Sequence, residues 1–405
     1  MIEFLQAHPE IWAYMAIPII SAIVGWGTNV LALKMTFFPL EFVGIPPYLG
    51  WQGIIPAKAG AMAEKSVDLL TSKLITVEER FSYIDPEEVA RQMEPELERI
   101  SRRVINESME AQAPLLWLAV PPTQREKLYE RVRAELPGIV ISMTSEIKEH
   151  IDELFDLKGM VRKILVRDKA LLNEIFLRVG SKEFRFIERS GLYFGFLFGL
   201  IQMVIWYFYK PWWFLPAAGL AVGYATNWLA LKLIFFPQKA WRIGPFVFQG
   251  LFIKRQKAVA AEYATIVAEQ IMTSRNIFES ILHGKTSHKL MEMVREHVAQ
   301  TVDSTAGSSK QWIKLLAGTK KYEVIKNIAT SGVIEDLRVA IAQIYDYTED
   351  ALDMKETMEE RMAQLPPDEF AGFLRPVFQE DELKLILVGA FLGMLAGLAQ
   401  WYILF

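Results

Sequence analysis

Cysteine is absent from the 405-residue sequence, which excludes disulfides, thiolate metal sites and a cysteine nucleophile. An excess of basic residues is also absent, because the formal net charge is −4, and we expect no binding to nucleic acid. Neither a G-x-S-x-G nor an H-E-x-x-H motif occurs, and the five histidines lie outside the long apolar segments. These absences favour a protein that is not an enzyme and that needs no cofactor and no metal.

Apolar residues are abundant, and four segments approach the length of about 20 residues that a membrane span requires. The predicted spans cover residues 11–33, 191–209, 212–237 and 385–405. No lysine or arginine precedes the first span, so we expect it to be retained and not cleaved as a signal peptide. The sequence predicts an all-α, polytopic membrane protein with four transmembrane helices.

The chain contains an internal repeat. The segment GWGTNVLALKMTFFP, from Gly25 to Pro39, recurs 198 residues later as GYATNWLALKLIFFP, from Gly223 to Pro237. Self-similarity at a fixed offset indicates duplication, so we predict two tandem copies, each built as span, cytoplasmic helical segment, span. An even number of spans per copy gives both copies one orientation, and their pseudo-twofold axis should run along the membrane normal.

Basic residues near the span ends are distributed unequally between the two sides of the membrane. Lys210 alone lies in the turn between the second and third spans, whereas many lysines and arginines, such as Lys34 and Lys58, flank the other ends. The positive-inside rule then predicts that both termini lie outside. The long segments 60–188 and 257–381 would lie in the cytoplasm, and the protein would reside in the bacterial cytoplasmic (inner) membrane.

The predicted cytoplasmic segments contain apolar stripes at helical spacing. One stripe consists of Met143, Ile147, Ile151, Leu154 and Phe155, and another of Leu337, Ile341, Ile344 and Tyr345. Such stripes either pack the core of a helical bundle or line a groove for lipid tails. The sequence leaves both interpretations open.

A polar pair lies in the inner half of the first and third spans, and a lysine follows each pair. These residues are Thr28, Asn29 and Lys34 in the first copy and Thr226, Asn227 and Lys232 in the second. Interhelical hydrogen bonds between the copies would satisfy the buried amides, and snorkelling would explain the lysines. The alternative is a polar site on the axis that binds a lipid headgroup, a phosphate or an ion.

Aromatic stretches rich in glycine and proline follow these two spans, at residues 39–58 and 238–256. Proline ends a helix, and amphipathic rings favour the headgroup layer, so we predict an interfacial hairpin in each copy. Its lipid-facing residues would be Trp51, Lys58, Trp241, Arg242, Lys254 and Arg255. The basic ones would lie beside anionic lipid.

Small residues recur at every fourth position in all four spans, a pattern that allows helices to approach closely. They are Ser21, Gly25, Gly191, Gly195, Gly199, Gly219, Gly223, Gly389, Gly393 and Gly397. These faces either pack the four helices together or build a homo-oligomer, and the sequence leaves their use open.

The pattern G-[WY]-x-T-N-x-L-A-L-K-x-x-F-F-P, followed by W-Q-G-I-I-P-A-K, resembles the signature of the YheB/YjiN-type family of bacterial membrane proteins of unknown function. Residues 182–187 and 381–386 resemble that family's second landmark in the two copies. The chain departs from the pattern at Ala57, where a basic residue is usual, and at Ile253, where proline is usual. The resemblance covers nearly the whole chain and implies the fold and the membrane location, but no activity.

These observations favour a non-enzymatic protein that binds or handles membrane lipids or organises the membrane. One alternative is a channel or small-solute transporter with a path between the two copies. No predicted span contains a central Asp or Glu, which disfavours a proton-coupled transporter. Another alternative is a scaffold that recruits an unknown cytoplasmic protein partner.

Overall fold

The computed structural model describes residues 9–45, 49–306, 319–379 and 382–404. The described chain is mostly helical, as predicted. Its first half contains, in order, α1 (Pro9–Phe37), β1 (Val43–Ile45), β2 (Leu49–Trp51), α2 (Ile54–Ala57), α3 (Ala59–Leu69), a π-helical turn (Leu70–Leu74), α4 (Val77–Ser82), α5 (Pro86–Gln112), α6 (Pro114–Ala119), α7 (Pro122–Glu149), α8 (Ile151–Leu154), α9 (Leu157–Arg167), α10 (Lys169–Val179) and α11 (Ser181–Phe208). Its second half contains α12 (Phe214–Phe235), β3 (Trp241–Ile243), β4 (Phe246–Phe248), α13 (Leu251–Lys254), α14 (Gln256–Gln270), α15 (Ser274–His283), α16 (Ser287–Ala306), α17 (Thr319–Ala342), α18 (Tyr345–Leu352), α19 (Met354–Gln364), α20 (Pro367–Gln379) and α21 (Glu382–Leu404).

Four helices are long and apolar enough to cross a membrane, namely α1, α11, α12 and α21. A continuous helix satisfies its backbone polar groups internally, which hydrocarbon surroundings require. The prediction of four spanning helices is confirmed at this level. Two residues of the sequence prediction, Asp381 of the second landmark and Phe405 of the fourth span, lie outside the described residues.

The chain divides into two compact units, and both predicted cytoplasmic segments contribute to each of them. The membrane unit, which contains the four apolar helices, comprises the chain up to Lys73, Arg162–Ile266 and the chain from Met358 onward. The bundle unit comprises Leu74–Val161 and Val267–Thr357. Each unit therefore joins segments that are far apart in the sequence.

Two helix pairs build the membrane unit, because α1 packs along α11 and α12 packs along α21. Glycines lie where the two helices of each pair meet. A Cβ on Gly199 would lie 2.6 Å from the Cα of Pro18, and a Cβ on Gly397 would lie 2.8 Å from the Cα of Pro216. Only residues without a bulky side chain allow backbones to approach this closely.

The predicted interfacial hairpins are short antiparallel β-ladders, which are an addition to the predicted all-α architecture. Strand β1 pairs with β2, with Val43 opposite Trp51. Strand β3 pairs with β4, with Trp241 opposite Phe248. Gly244 has a φ of +59° in the turn between β3 and β4, a conformation that glycine adopts without steric cost.

Long helices from both connecting segments form the bundle unit. Helix α5 packs against α7 and α17, and α16 packs against the same two helices. The Asp85 carboxylate accepts a hydrogen bond from the backbone N–H of Glu87 at 3.0 Å and so caps α5 at its first turn. The hydroxyl of Tyr129 on α7 donates to the Oδ1 of Asn106 on α5 at 2.7 Å.

Candidate functional site

The polar residues of the first and third spans make contacts inside their own helix pairs. The Nδ2 of Asn29 donates to the carbonyl of Ile187 at 2.6 Å, and the Nδ2 of Asn227 donates to the carbonyl of Leu385 at 3.1 Å. Each asparagine therefore links α1 to α11 or α12 to α21. A polar site on an axis between the copies stays a prediction.

The hydroxyls beside these asparagines bond to their own helices. Thr28 donates to the carbonyl of Gly25 at 3.1 Å, and Thr226 donates to the carbonyl of Val222 at 2.9 Å. The Oδ1 of Asn29 is buried and has no hydrogen-bond partner among the described residues. Local bonds of this kind satisfy most of the polar groups without a ligand.

The two predicted lysines differ in their surroundings. Lys34 is exposed. Lys232 is half-buried, and its Nζ lies 5.1 Å from the centroid of the Phe236 ring. Arg375, which the sequence analysis missed, lies over the same ring at 4.8 Å. The recurrence of Phe-Leu-Arg at 176–178 and 373–375 is the sequence signal that marks this arginine.

The two β-hairpins hold some of the predicted lipid-facing residues in protein contacts. Trp51 donates its indole N–H to the carbonyl of Met35 at 3.2 Å. Arg255 donates to both carboxylate oxygens of Glu183, at 2.7 and 2.9 Å, so its charge is neutralised inside the protein. Trp241 and Arg242 are exposed, as the prediction requires.

The remaining predicted basic residues of the hairpins have different exposure. Lys254 is exposed and Lys58 is half-buried. Their contact with lipid stays a prediction.

The glycine faces are covered by neighbouring helices of the same chain. Gly25 meets the backbone of Gly191, and Gly219 meets the backbone of Gly393. The other small residues of the pattern lie in the same two interfaces, namely Ser21, Gly195, Gly199, Gly223, Gly389 and Gly397. A homo-oligomer would therefore have to use other surfaces.

An elongated apolar cavity of about 560 Å³ lies within the bundle unit. Its wall consists mostly of apolar side chains from α5, α7, α16 and α17, and α4, α15 and α18 also contribute. Met143 and Ile147 of the first predicted stripe line it, as do Leu337, Ile341 and Ile344 of the second. Ile151 and Leu154 are buried without lining the cavity. Both stripes thus face an apolar space that is partly open.

Polar groups in the cavity wall are few. The hydroxyls of Ser108 and Thr348 are buried and have no hydrogen-bond partner in the described part of the chain. The hydroxyl of Tyr322 donates to Asp303 at 2.7 Å, and burial together with this carboxylate raises the pKa of Tyr322, so it stays protonated at neutral pH. The charged wall residues are Arg131 and Lys148, and no described Asp or Glu lines the cavity.

Metal-ligating side chains do not cluster in the ranges that the structure describes, where no group of three His, Cys, Asp or Glu residues could hold an ion.

No family model matches the chain, and no solved structure matches it. A UPF0754 membrane protein of Microcystis aeruginosa is 26% identical over 197 residues, which cover 46% of this chain and 40% of the relative. A UPF0754 membrane protein of Shouchella clausii is 39% identical over 94 residues, which cover 22% of this chain and 24% of the relative. Another, of Lysinibacillus sphaericus, is 26% identical over 107 residues, or 25% of this chain and 28% of the relative.

The matched part of the chain spans less than half the length of each of these relatives. Their names state a membrane location and no activity. The YheB/YjiN-type resemblance is compatible with these names and stays a prediction. The four apolar helices and these relatives agree on one conclusion: the chain is a helical membrane protein similar to the UPF0754 membrane proteins.

Proposed function

We propose that this protein is a non-enzymatic membrane protein that binds the acyl chain of a membrane lipid in the cavity of its bundle unit. The observation that carries the proposal is the cavity of about 560 Å³ with a wall of mostly apolar side chains. Ligand pockets commonly measure about 300–1,000 Å³ and are mostly apolar. An integral membrane protein has lipid as its most abundant neighbour.

The size of the cavity argues for an occupant. The cavity is partly open, so without an occupant its apolar wall stays exposed to water, at about 25 cal/mol for each Å² of apolar surface. Water gains little there, because it needs two to four polar partners. An apolar chain fills the space and gains about 0.8 kcal/mol for each methylene that leaves water.

The charge of the wall favours an amphiphile with an anionic head. Arg131 and Lys148 line the cavity without a described carboxylate beside them in the wall. The Nζ of Lys148 donates to the carbonyl of Ile84 at 2.6 Å, and Arg131 is exposed. A cation at the edge of an apolar cavity attracts a carboxylate or a phosphate and leaves the acyl chain inside.

We propose further that the chain consists of two tandem copies with the same orientation, related by an axis along the membrane normal. The recurrence of Gly25 to Pro39 as Gly223 to Pro237 supports this. The hydrogen bonds of Asn29 and Asn227 also support it, because each joins residues 158 apart in the chain. Both termini would lie on the outer side of the bacterial cytoplasmic membrane. The bundle unit would lie in the cytoplasm.

Native mass spectrometry of the full-length protein in mild detergent tests the lipid proposal. We expect co-purified lipid, and a double variant A329F/V333F should fill the cavity and reduce the bound fraction, because Ala329 and Val333 line it on α17. If the two added rings exclude two methylene groups of the ligand from the cavity, the affinity should fall about tenfold. The matched control is V339F, which adds a ring at an exposed position of the same helix.

Three outcomes would contradict the proposal. The first is purification without any bound lipid, and the second is equal lipid binding by A329F/V333F and V339F. The third is solute flux in proteoliposomes that disappears when Asn29 and Asn227 are both changed to leucine, which would support a channel instead. Crosslinking to one cytoplasmic protein, with no bound lipid, would support a scaffold.

A further inference from the structure

Two cationic side chains of the membrane unit converge on one aromatic ring. The Nζ of Lys232 lies 5.1 Å from the centroid of the Phe236 ring, and the Cζ of Arg375 lies 4.8 Å from the same centroid. Lys232 is in the last turn of α12, where the apolar span ends, and Arg375 belongs to α20. Both side chains are half-buried.

Neither cation has a carboxylate partner in the described ranges of the chain, and both contact the Phe236 ring. The two ring distances place the charges within about 10 Å of each other, and like charges at such a separation repel, more strongly where water is partly excluded. The fold nevertheless holds both charges beside one ring. An anion bound near both cations would offset this repulsion.

The first half of the chain contains a corresponding arginine, Arg178, whose charge is neutralised by ion pairs. The sequence Phe-Leu-Arg at 176–178 recurs 197 residues later at 373–375. Arg178 forms ion pairs with Glu174 at 3.4 Å and with Glu262 at 3.0 Å. No bound anion is needed there.

The positions that correspond to these two acids carry no carboxylate. At the same offset of 197 residues, Ala371 corresponds to Glu174 and Lys65 corresponds to Glu262. Helix α20, which carries Arg375, packs against α3, which carries Lys65. An alanine and a lysine therefore stand at the positions that correspond to the two carboxylates of the first arginine.

We propose that Lys232 and Arg375 form a binding site for the phosphate group of an anionic phospholipid. A lysine at the end of a span lies at the level of the headgroups, where anionic lipid is attracted to basic residues. The planar fork of arginine suits two oxygens of one phosphate, and the lysine adds a point charge. The site is independent of the cavity, because every wall residue of the cavity belongs to the bundle unit.

Native mass spectrometry can measure this site by titrating the full-length protein with phosphatidylglycerol and with phosphatidylcholine of the same acyl chains. We expect tighter binding of phosphatidylglycerol. The double variant K232Q/R375Q should lose about 25-fold in affinity for phosphatidylglycerol, which corresponds to two interfacial basic residues. Binding of phosphatidylcholine should not change.

The matched control is R178Q, which removes the corresponding arginine of the first half and should leave the affinity for phosphatidylglycerol within twofold of the native value. The charge-retaining variant K232R/R375K should also keep it. Equal affinities in K232Q/R375Q and R178Q would overturn the proposal. So would a native protein that binds the two lipids equally well.

Two further arms use the native protein and do not depend on the folding of a variant. Raising the salt concentration should weaken binding of phosphatidylglycerol and spare phosphatidylcholine, and binding that ignores salt would overturn the proposal. Inorganic phosphate at matched ionic strength should not displace the lipid, since it lacks acyl chains. Displacement by inorganic phosphate would assign the site to the free ion.

Discussion

Glu183 is 3% exposed, and Arg255 holds its carboxylate from a position 72 residues further along the chain. The sequence predicts that Arg255 faces lipid, because a basic residue in a hairpin at the membrane surface most often contacts anionic headgroups. Pairing with a buried carboxylate depends on the approach of α11 to α13, which no local pattern encodes. The same holds for Asn29, whose position in the span was evident but whose acceptor, the carbonyl of Ile187, was not.

Removing one partner of this pair should destabilise the membrane unit. The change Glu183→Gln leaves the Arg255 charge without its partner, and we expect a loss of about 3 kcal/mol in the free energy of unfolding. Thermal unfolding in detergent, followed by tryptophan fluorescence, measures the loss. The double variant E183Q/R255Q should recover part of it, because no uncompensated charge remains.

The control for this measurement is Arg242→Gln, which removes an exposed cation from the same hairpin region and should change stability little. A Glu183→Gln protein as stable as the Arg242→Gln protein would show that solvent already screens the pair.

At the scale of elements, glycine spacing predicted close helix contact but not which helices meet. All four spans carry small residues at every fourth position, so the pattern alone permits several pairings and also an oligomer. The structure pairs α1 with α11 and α12 with α21. That choice depends on complementary surfaces along the whole length of two helices.

Adding one methyl group should have opposite effects on stability at a packed and at an unpacked glycine. In Gly195→Ala the new Cβ would meet the carbonyl oxygen of Ser21 and would lie 3.0 Å from the Cα of Ala22, so we expect a loss of about 1–3 kcal/mol from overpacking. In Gly27→Ala on α1 the Cβ would have no neighbour within 4 Å, and the helix should gain up to about 1 kcal/mol.

Thermal unfolding of the two alanine variants side by side measures this difference. If Gly195→Ala were as stable as Gly27→Ala, the two helices would lie further apart than the structure places them.

At the scale of the whole molecule, the absence of cysteine allows the proposed topology to be tested directly. A cysteine at Lys210, between α11 and α12, should react from outside intact cells with a thiol reagent that cannot cross membranes. A cysteine at Gly138, an exposed position of α7 with open space around it, should react only after the membrane is opened. Labelling is read by mass shift, and the native chain provides a background free of thiols.

The reverse pattern, with Gly138→Cys labelled from outside and Lys210→Cys protected, would invert the proposed orientation. Labelling of both positions from outside would place the bundle unit and the turn on one side. It would then contradict the assignment of α11 or α12 as a complete span.

The sequence by itself determined the membrane location, the four long apolar helices and the duplicated block, because these follow from composition and spacing within short stretches of chain. It also predicted the stripes of Met143, Ile147, Leu337 and Ile341, but a stripe is the same whether it packs a filled core or lines a space. Only the tertiary structure decided that these stripes line a cavity, that Arg255 pairs with Glu183 and that Arg375 has no carboxylate partner among the described residues. Those properties depend on which distant segments meet, and the volume or charge left between them exists only once the helices are packed.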